Sequence, residues 1–179
     1  MHQRELGATG PMVSAVGLGC MGMSEFYGAV DAKAAKDTLE AAFDSGVTLW
    51  DSADFYGSGH NELLIGSAIA ARRDQVALSI KFGLMRDPHG GYLGQDGRPD
   101  AVKNSLAQSL RRLGTDYIDI YRISRTDPAV PIEDTIGAIA EMVDAGFVRH
   151  IGLSEATADD IRRAASAHPI CDLQTEYSI

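Results

Sequence analysis

The sequence predicts an α/β protein, a parallel sheet covered by the helices that connect its strands. Short apolar runs recur along all 179 residues, and each is followed by a stretch with apolar residues at helical spacing. Three of the five helical stretches also end on a glycine, the residue that most readily terminates a helix. Such alternation implies right-handed crossovers, and hence parallel strands with helices packed against them.

The opening RELGATGPMVS reads as a small hairpin, and SAVGLGC as the first strand. Asp31 then starts a helix with Ala35, Leu39, Ala42 and Phe43 on one face, closed by Gly46. VTLW is the second strand and NELLIGSAIAARR the next helix, with His60 and Asn61 as its caps and Glu62 in the first turn, where an acid suits the dipole. QVALSIKF is the third strand. The loop after it, GLMRDPHGGYLGQDGRPD, is too rich in glycine for core; contact with a ligand is one reading of its His89 and Tyr92, and exposure to solvent the favoured one. Residues 100–113 form a helix with Val102, Leu106, Leu110 and Leu113 inward, stopped by Gly114. DYIDIYRI is the fourth strand. Pro131 suits the first turn of a helix with Ile132, Ile136, Ile139 and Val143 inward, closed by Gly146. FVRHIGLS is the fifth strand, Thr157 and Asp160 make a capping-box start to the fifth helix, and CDLQTEYSI is the sixth strand. The whole reads as one domain over residues 1–179. Six strands fit an open doubly wound sheet, whereas a barrel of eight units usually takes about 250 residues, so the strand ends must decide between them.

Composition narrows the function. The formal net charge is −9, with no basic footprint for nucleic acid. No signal-like leader and no run of about 18 apolar residues points to export or a membrane, so the expectation is a soluble, cytoplasmic protein. Cys20 and Cys171 are too few for a disulfide framework, and neither they nor His150 and His168 show metal-ligand spacing. No metal is expected.

Ligands of parallel α/β folds bind at the carboxyl ends of strands. Those ends carry Asp51, Tyr56, Lys81, Ser124, Ser154, Glu155 and Gln174. An acid, a phenol and an ammonium in one mouth make a coherent proton donor. Lys81 would favour the phenolate of Tyr56 and draw down its pKa, while Asp51 holds the lysine. Singly, each has a plainer role: Asp51 on loop amides, Tyr56 as a packing ring, Lys81 as a snorkelling strand-end lysine. Gly17, Gly19 and Gly22 spell G-x-G-x-x-G, but MSEFYGAVD separates them from the next helix, so no helix N-terminus opens onto the glycines as dinucleotide binding there requires.

The segment WDSADFYGSGHNELLIG resembles the aldo-keto reductase signature, in which an aspartate precedes the catalytic tyrosine by five residues. GLGCMGMS, SIKFG, VRHIGLSEA and DLQTEYSI are similar to the family's first, third, fifth and sixth strand regions, so the likeness covers the whole chain. It implies an incomplete (β/α)8 barrel of the TIM type, and hydride transfer from NADPH to an aldehyde or ketone. By resemblance Tyr56 gives the proton, and Lys81 and Asp51 tune it. Ser154 and Gln174 would hold the nicotinamide carboxamide, with Glu155 at a position that is often asparagine; Gly19, Cys20 and Met21 would lie along the nicotinamide ribose. Ser124 falls where most members place a substrate-orienting histidine, and a branch of the family also lacks it; a serine is too short for that reach, which puts a structural or water-holding role ahead of direct catalysis. Family barrels run to about 300 residues, so the chain is expected to be truncated after its sixth strand, with open edges that invite self-association. The alternative to a reductase is a non-catalytic fragment serving as a binding or assembly module.

Overall fold

Ten strands and five helices make up the computed structural model, which describes residues 1–25 and 31–178. Gln3–Glu5 (β1) and Met12–Ser14 (β2) form an antiparallel hairpin. Then follow Leu18–Gly19 (β3), Ala32–Asp44 (α1), Leu49–Ala53 (β4), His60–Ile69 (α2), Ala77–Phe82 (β5), Leu84–Arg86 (β6), Tyr92–Gln95 (β7), Pro99–Leu113 (α3), Ile118–Ile123 (β8), Ile132–Asp144 (α4), Val148–Ser154 (β9), Ala158–Ala167 (α5) and Ile170–Gln174 (β10). The main sheet has the order β3-β4-β5-β8-β9-β10, with every neighbouring pair parallel.

That order settles the architecture. A doubly wound sheet reverses direction at a switch point, whereas here each new strand is laid beside the last, as in a (β/α)8 barrel. Right-handed crossovers without a reversal put every helix on the same face, and α2, α3, α4 and α5 pack side by side along it. The molecule is thus six consecutive strands and five helices of a TIM-type barrel. All six residues of β8 are buried, with Tyr121 stacked on Phe82 of β5 at 4.5 Å between ring centroids. Trp50, Leu78, Ile80, Ile118 and Ile151 complete the centre of the core.

The opening hairpin lies across the amino ends of the strands. The Ser14 amide donates to Thr48 Oγ1 (2.8 Å), and the Thr48 amide donates to Ser14 Oγ (2.9 Å). Gly7, at φ 58°, comes so close to β10 that a Cβ would stand 2.1 Å from the Cys171 carbonyl oxygen.

Several boundaries depart from the sequence reading for local reasons. The first and last strands are shorter than expected, because each is an edge with one neighbour in the sheet. The glycine-rich loop folds partly into the β6–β7 hairpin: Asp87 Oδ1 accepts from the amides of His89 and Gly91, and Gly90 supplies φ 85°. Pro131 stands one residue before α4, as its N-cap. Asp31 and the Thr157–Asp160 capping box start α1 and α5 as expected.

Neither His60 nor Asn61 caps α2. The helix begins after Gly59 without a side-chain cap, and Asn61 is wholly buried. Its amide donates to the Cys20 carbonyl and Ser24 Oγ, and its oxygen accepts from Ser52 Oγ. A fully buried amide has to satisfy all its polar groups internally, and doing so ties the loop after β3 to β4. Glu62 is also buried and pairs with Arg112 of α3, a tertiary partner that the helix-dipole reading does not reveal.

Candidate active site

Strand register assembles the centre. Asp51 lies opposite Ser79, and Lys81 follows Ser79 by two residues, so both β5 side chains point to one face. Ser79 Oγ donates to Asp51 Oδ1 at 2.7 Å, Lys81 Nζ forms an ion pair with Asp51 Oδ2, and the same ammonium donates to Gln174 Oε1 at 3.0 Å. The lysine is 5% exposed, and its two side-chain acceptors come from opposite parts of the sheet, β4 and β10.

The Tyr56 ring is delivered by a turn few residues could make. Gly57, Ser58 and Gly59 adopt φ 56°, 52° and 94° in succession. A Cβ on Gly59 would stand 2.7 Å from Arg112 Cδ, and one on Gly57 about 3.0 Å from Ser24 Cβ. This left-handed turn reverses the chain immediately after Tyr56. The ring is buried, packs edge-on against Phe55 at 5.0 Å, and lies with its centroid 5.4 Å from Lys81 Nζ.

The electrostatics correct the expectation from sequence. Burial, and then the negative charge of Asp51, raise the Tyr56 phenol above its ordinary pKa. The positive charge of Arg125 opposes this rise without overcoming it. Burial lowers Lys81 itself, and Asp51 opposes that shift. Tyr56 therefore stays protonated at neutral pH and can donate. The Cys20 thiol, buried near Asp51, is pushed up to about 12 and is no nucleophile. Behind the tyrosine turn Asp54 is pushed up to about 7 by burial and by Glu62, with Arg112 acting against both; its Oδ1 is shut off from solvent without a hydrogen bond.

A cleft of about 420 Å³ opens over these groups. Met21, Tyr56, Lys81, Ser124, Ser154, Glu155 and Gln174 all line it, which brings together seven of the residues read from sequence. Asp51 sits beneath, bonded to Lys81. Gly19 and Cys20 lie at the end of β3 outside this lining: the Cys20 amide donates to Asp51 O, and its carbonyl accepts from Asn61. Ser124 is buried, and its amide donates to the Phe82 carbonyl at 2.8 Å. Glu155 holds φ 50°, a left-handed conformation that asparagine adopts more readily than most residues, and its carboxylate turns aside to Thr175 Oγ1 and the Glu176 amide.

Tyr92, expected in solvent, is exposed and also lines the cleft, as does Gln95 from the same hairpin. Sequence reasoning missed Arg125. It follows Ser124 in a run of polar residues where nothing in the alternation says which charge turns inward, yet it borders the cleft.

A nicotinamide suits this cleft. Its planar carboxamide needs both donors and acceptors, and the Ser154 hydroxyl and Gln174 amide offer both at the lining. A Cβ on Gly19 would meet nothing within 4 Å, so the end of β3 leaves open space alongside. Among the described residues no group of three or more His, Cys, Asp or Glu could hold a metal, and no helix is long and apolar enough to cross a membrane.

Known proteins match this chain closely. Residues 15–179 match the model of the Aldo/keto reductase family. The "Aldo-keto reductase yakc [NADP(+)]" of Schizosaccharomyces pombe is 44% identical over 168 residues, covering 93% of this chain and 49% of its own. The crystal structure of thermostable aldo-keto reductase Tm1743 in complex with the inhibitor epalrestat superposes with a TM-score of 0.85 at 35% identity, over 99% of this chain and 63% of that one. The holo form of aldo-keto reductase AKR11C1 from Bacillus halodurans gives 0.89 at 32%, over 99% and 58%. The chain spans about half the length of the curated relatives it matches. Motif, strand order and strand-end chemistry agree with these likenesses, and the chain belongs to the aldo/keto reductase family.

Proposed function

We propose that this protein is an oxidoreductase that uses NADPH to reduce an aldehyde or ketone to the alcohol. The observation that carries the reading is the buried Lys81, held between Asp51 and Gln174, beside a Tyr56 phenol that stays protonated. NADP is preferred because the fission-yeast relative carries it in its name.

Bound nicotinamide would supply the hydride to the carbonyl carbon. The chain's own residues do the rest. Ser154 and Gln174 hold the carboxamide and so present one face of the ring. Tyr56 Oη hydrogen-bonds the carbonyl oxygen and transfers its proton there as negative charge develops. The Lys81 ammonium stabilises the tyrosinate left behind, and Asp51 keeps that ammonium charged against burial. Asp51 and Lys81 thus act on the proton through Tyr56. Ser124, too short to reach a carbonyl as histidine does, holds a water at the cleft wall.

The test is a titration of NADPH against the purified chain, followed by its oxidation with a panel of aldehydes. Saturable binding and turnover are expected. Absence of both would overturn the reductase reading and favour a non-catalytic binding or assembly module. Edge strands β3 and β10 each have one neighbour in the sheet. We propose self-association through them, which light scattering would contradict by showing a non-aggregating monomer.

A further inference from the structure

Among the described residues that line the cleft two are cations, and only one of them has a carboxylate partner there. Lys81 has Asp51 as its counter-ion. Arg125, exposed at the mouth, has no carboxylate within ion-pair distance among the described residues, whereas eight other arginines of the chain do. The nearest candidate in the lining, Glu155, spends its carboxylate on Thr175 and Glu176.

Arg125 is also held in place. Its Nη1 donates to the Ser124 carbonyl at 2.7 Å and lies 3.5 Å from Ser154 Oγ. Two residues on, Asp127 pins the loop by accepting from the amides of Gly97 and Ala129. With Nη1 occupied, the remaining edge is Nε with Nη2. Arg98 uses that edge on Asp96, and Arg163 uses it on Glu133. It matches the two oxygens of a carboxylate side by side.

We propose that Arg125 is the specificity residue of this cleft and that the substrate is an oxo acid, its carboxylate bound by Arg125 while its carbonyl meets Tyr56. The inference rests on the reductase reading for its substrate, but not for its binding. A carboxylate fits better than a phosphate, because one guanidinium edge balances a single negative charge and leaves a dianion uncompensated beside Glu155. Anchoring one end of the substrate also supplies the orientation that Ser124, in place of histidine, cannot give.

Two measurements test this. The first uses an unreactive probe: the chain, with and without NADPH, is titrated with 3-methylbenzoate and with 3-methylbenzyl alcohol. Wild type is expected to bind the acid about tenfold more tightly than the alcohol, Arg125→Leu to lose that preference, and Arg125→Lys to keep part of it. Circular dichroism and melting of each variant, with Arg125→Gln as a second neutral replacement, identify any that fail to fold. The second compares kcat/KM for 3-formylbenzoate and 3-methylbenzaldehyde, where Arg125→Leu should erase the preference for the acid through KM. Equal affinity of wild type for acid and alcohol, or a preference that survives in Arg125→Leu, would overturn the proposal. Carboxylate binding through Arg125 without reduction of either aldehyde would support the anchor and contradict the reductase.

Discussion

The two ends of the sheet each carry a cluster of acid and base, and they are built differently. At the amino ends Asp119 is saturated: its carboxylate accepts from Arg73 at 2.7 Å and the Leu78 amide at 2.9 Å, with Arg149 3.5 Å away. Both arginines lie against the Tyr117 ring, at 4.0 and 3.7 Å. At the carboxyl ends Asp51 and Lys81 are paired under an open cleft, Arg125 has no carboxylate partner among the described residues, and Asp54 holds a buried oxygen without a hydrogen bond. One end has closed its charges on itself; the other keeps them available. This matches the division in barrels between a stabilising face and a reactive one.

The contrast can be broken at either end. The largest effect belongs to the carboxyl end: Tyr56→Phe removes the proton donor and should lower the rate of carbonyl reduction by about 10² to 10⁴. A rate that persists would mean the donor is misassigned. At the amino end Asp119→Ala leaves Arg73 without its carboxylate and should cost about 3 to 5 kcal/mol in urea unfolding, while the folded fraction still binds cofactor. Loss of binding in that folded fraction would show that the two ends are not separable.

A third effect is smaller and depends on pH. Asp54 has its folded pKa raised from 3.8 to about 7, so the native state holds a proton that the unfolded chain has released. Wild-type stability should therefore fall as pH rises from about 4 to about 7 and level off above. Asp54→Asn should stabilise the protein by on the order of 2 kcal/mol at pH 8 and by little below pH 4, measured by unfolding across that range. A gain independent of pH would contradict the assignment. Smallest of all, Glu155→Asn should hold stability within about 1 kcal/mol, whereas Glu155→Val, a poor fit to φ 50°, should lose about 1 to 2 kcal/mol.

Much of this was legible in the sequence, and the exceptions share a cause. Alternating apolar periods determine the strands and helices, and the residues just past each strand locate the cleft, because strand polarity brings those ends together whatever the architecture. The architecture itself depends on strand order, which local patterning does not encode. Hence six strands fit two folds until β3-β4-β5-β8-β9-β10 was seen. Asn61 and Glu62 look like ordinary helix-start residues, and only tertiary burial converts them into an interior amide hub and an ion pair to α3. The Tyr56 phenol runs against the sequence expectation for a similar reason. Proximity to a lysine suggests a lowered pKa, but the balance turns on how deeply the ring is buried and where Asp51 sits. Arg125 was overlooked because its neighbours in the loop are equally polar and only the loop's path turns it toward the cleft.

The central claim is that the carboxyl-end cluster reduces carbonyls. Its most direct test is label transfer: the chain is incubated with NADPH deuterated at the nicotinamide C4 position and an aldehyde, and the product is read by mass spectrometry. Deuterium at the alcohol carbon with wild type, and its loss in Tyr56→Phe, is the predicted result. Unlabelled aldehyde recovered intact from wild type under saturating cofactor would contradict the account.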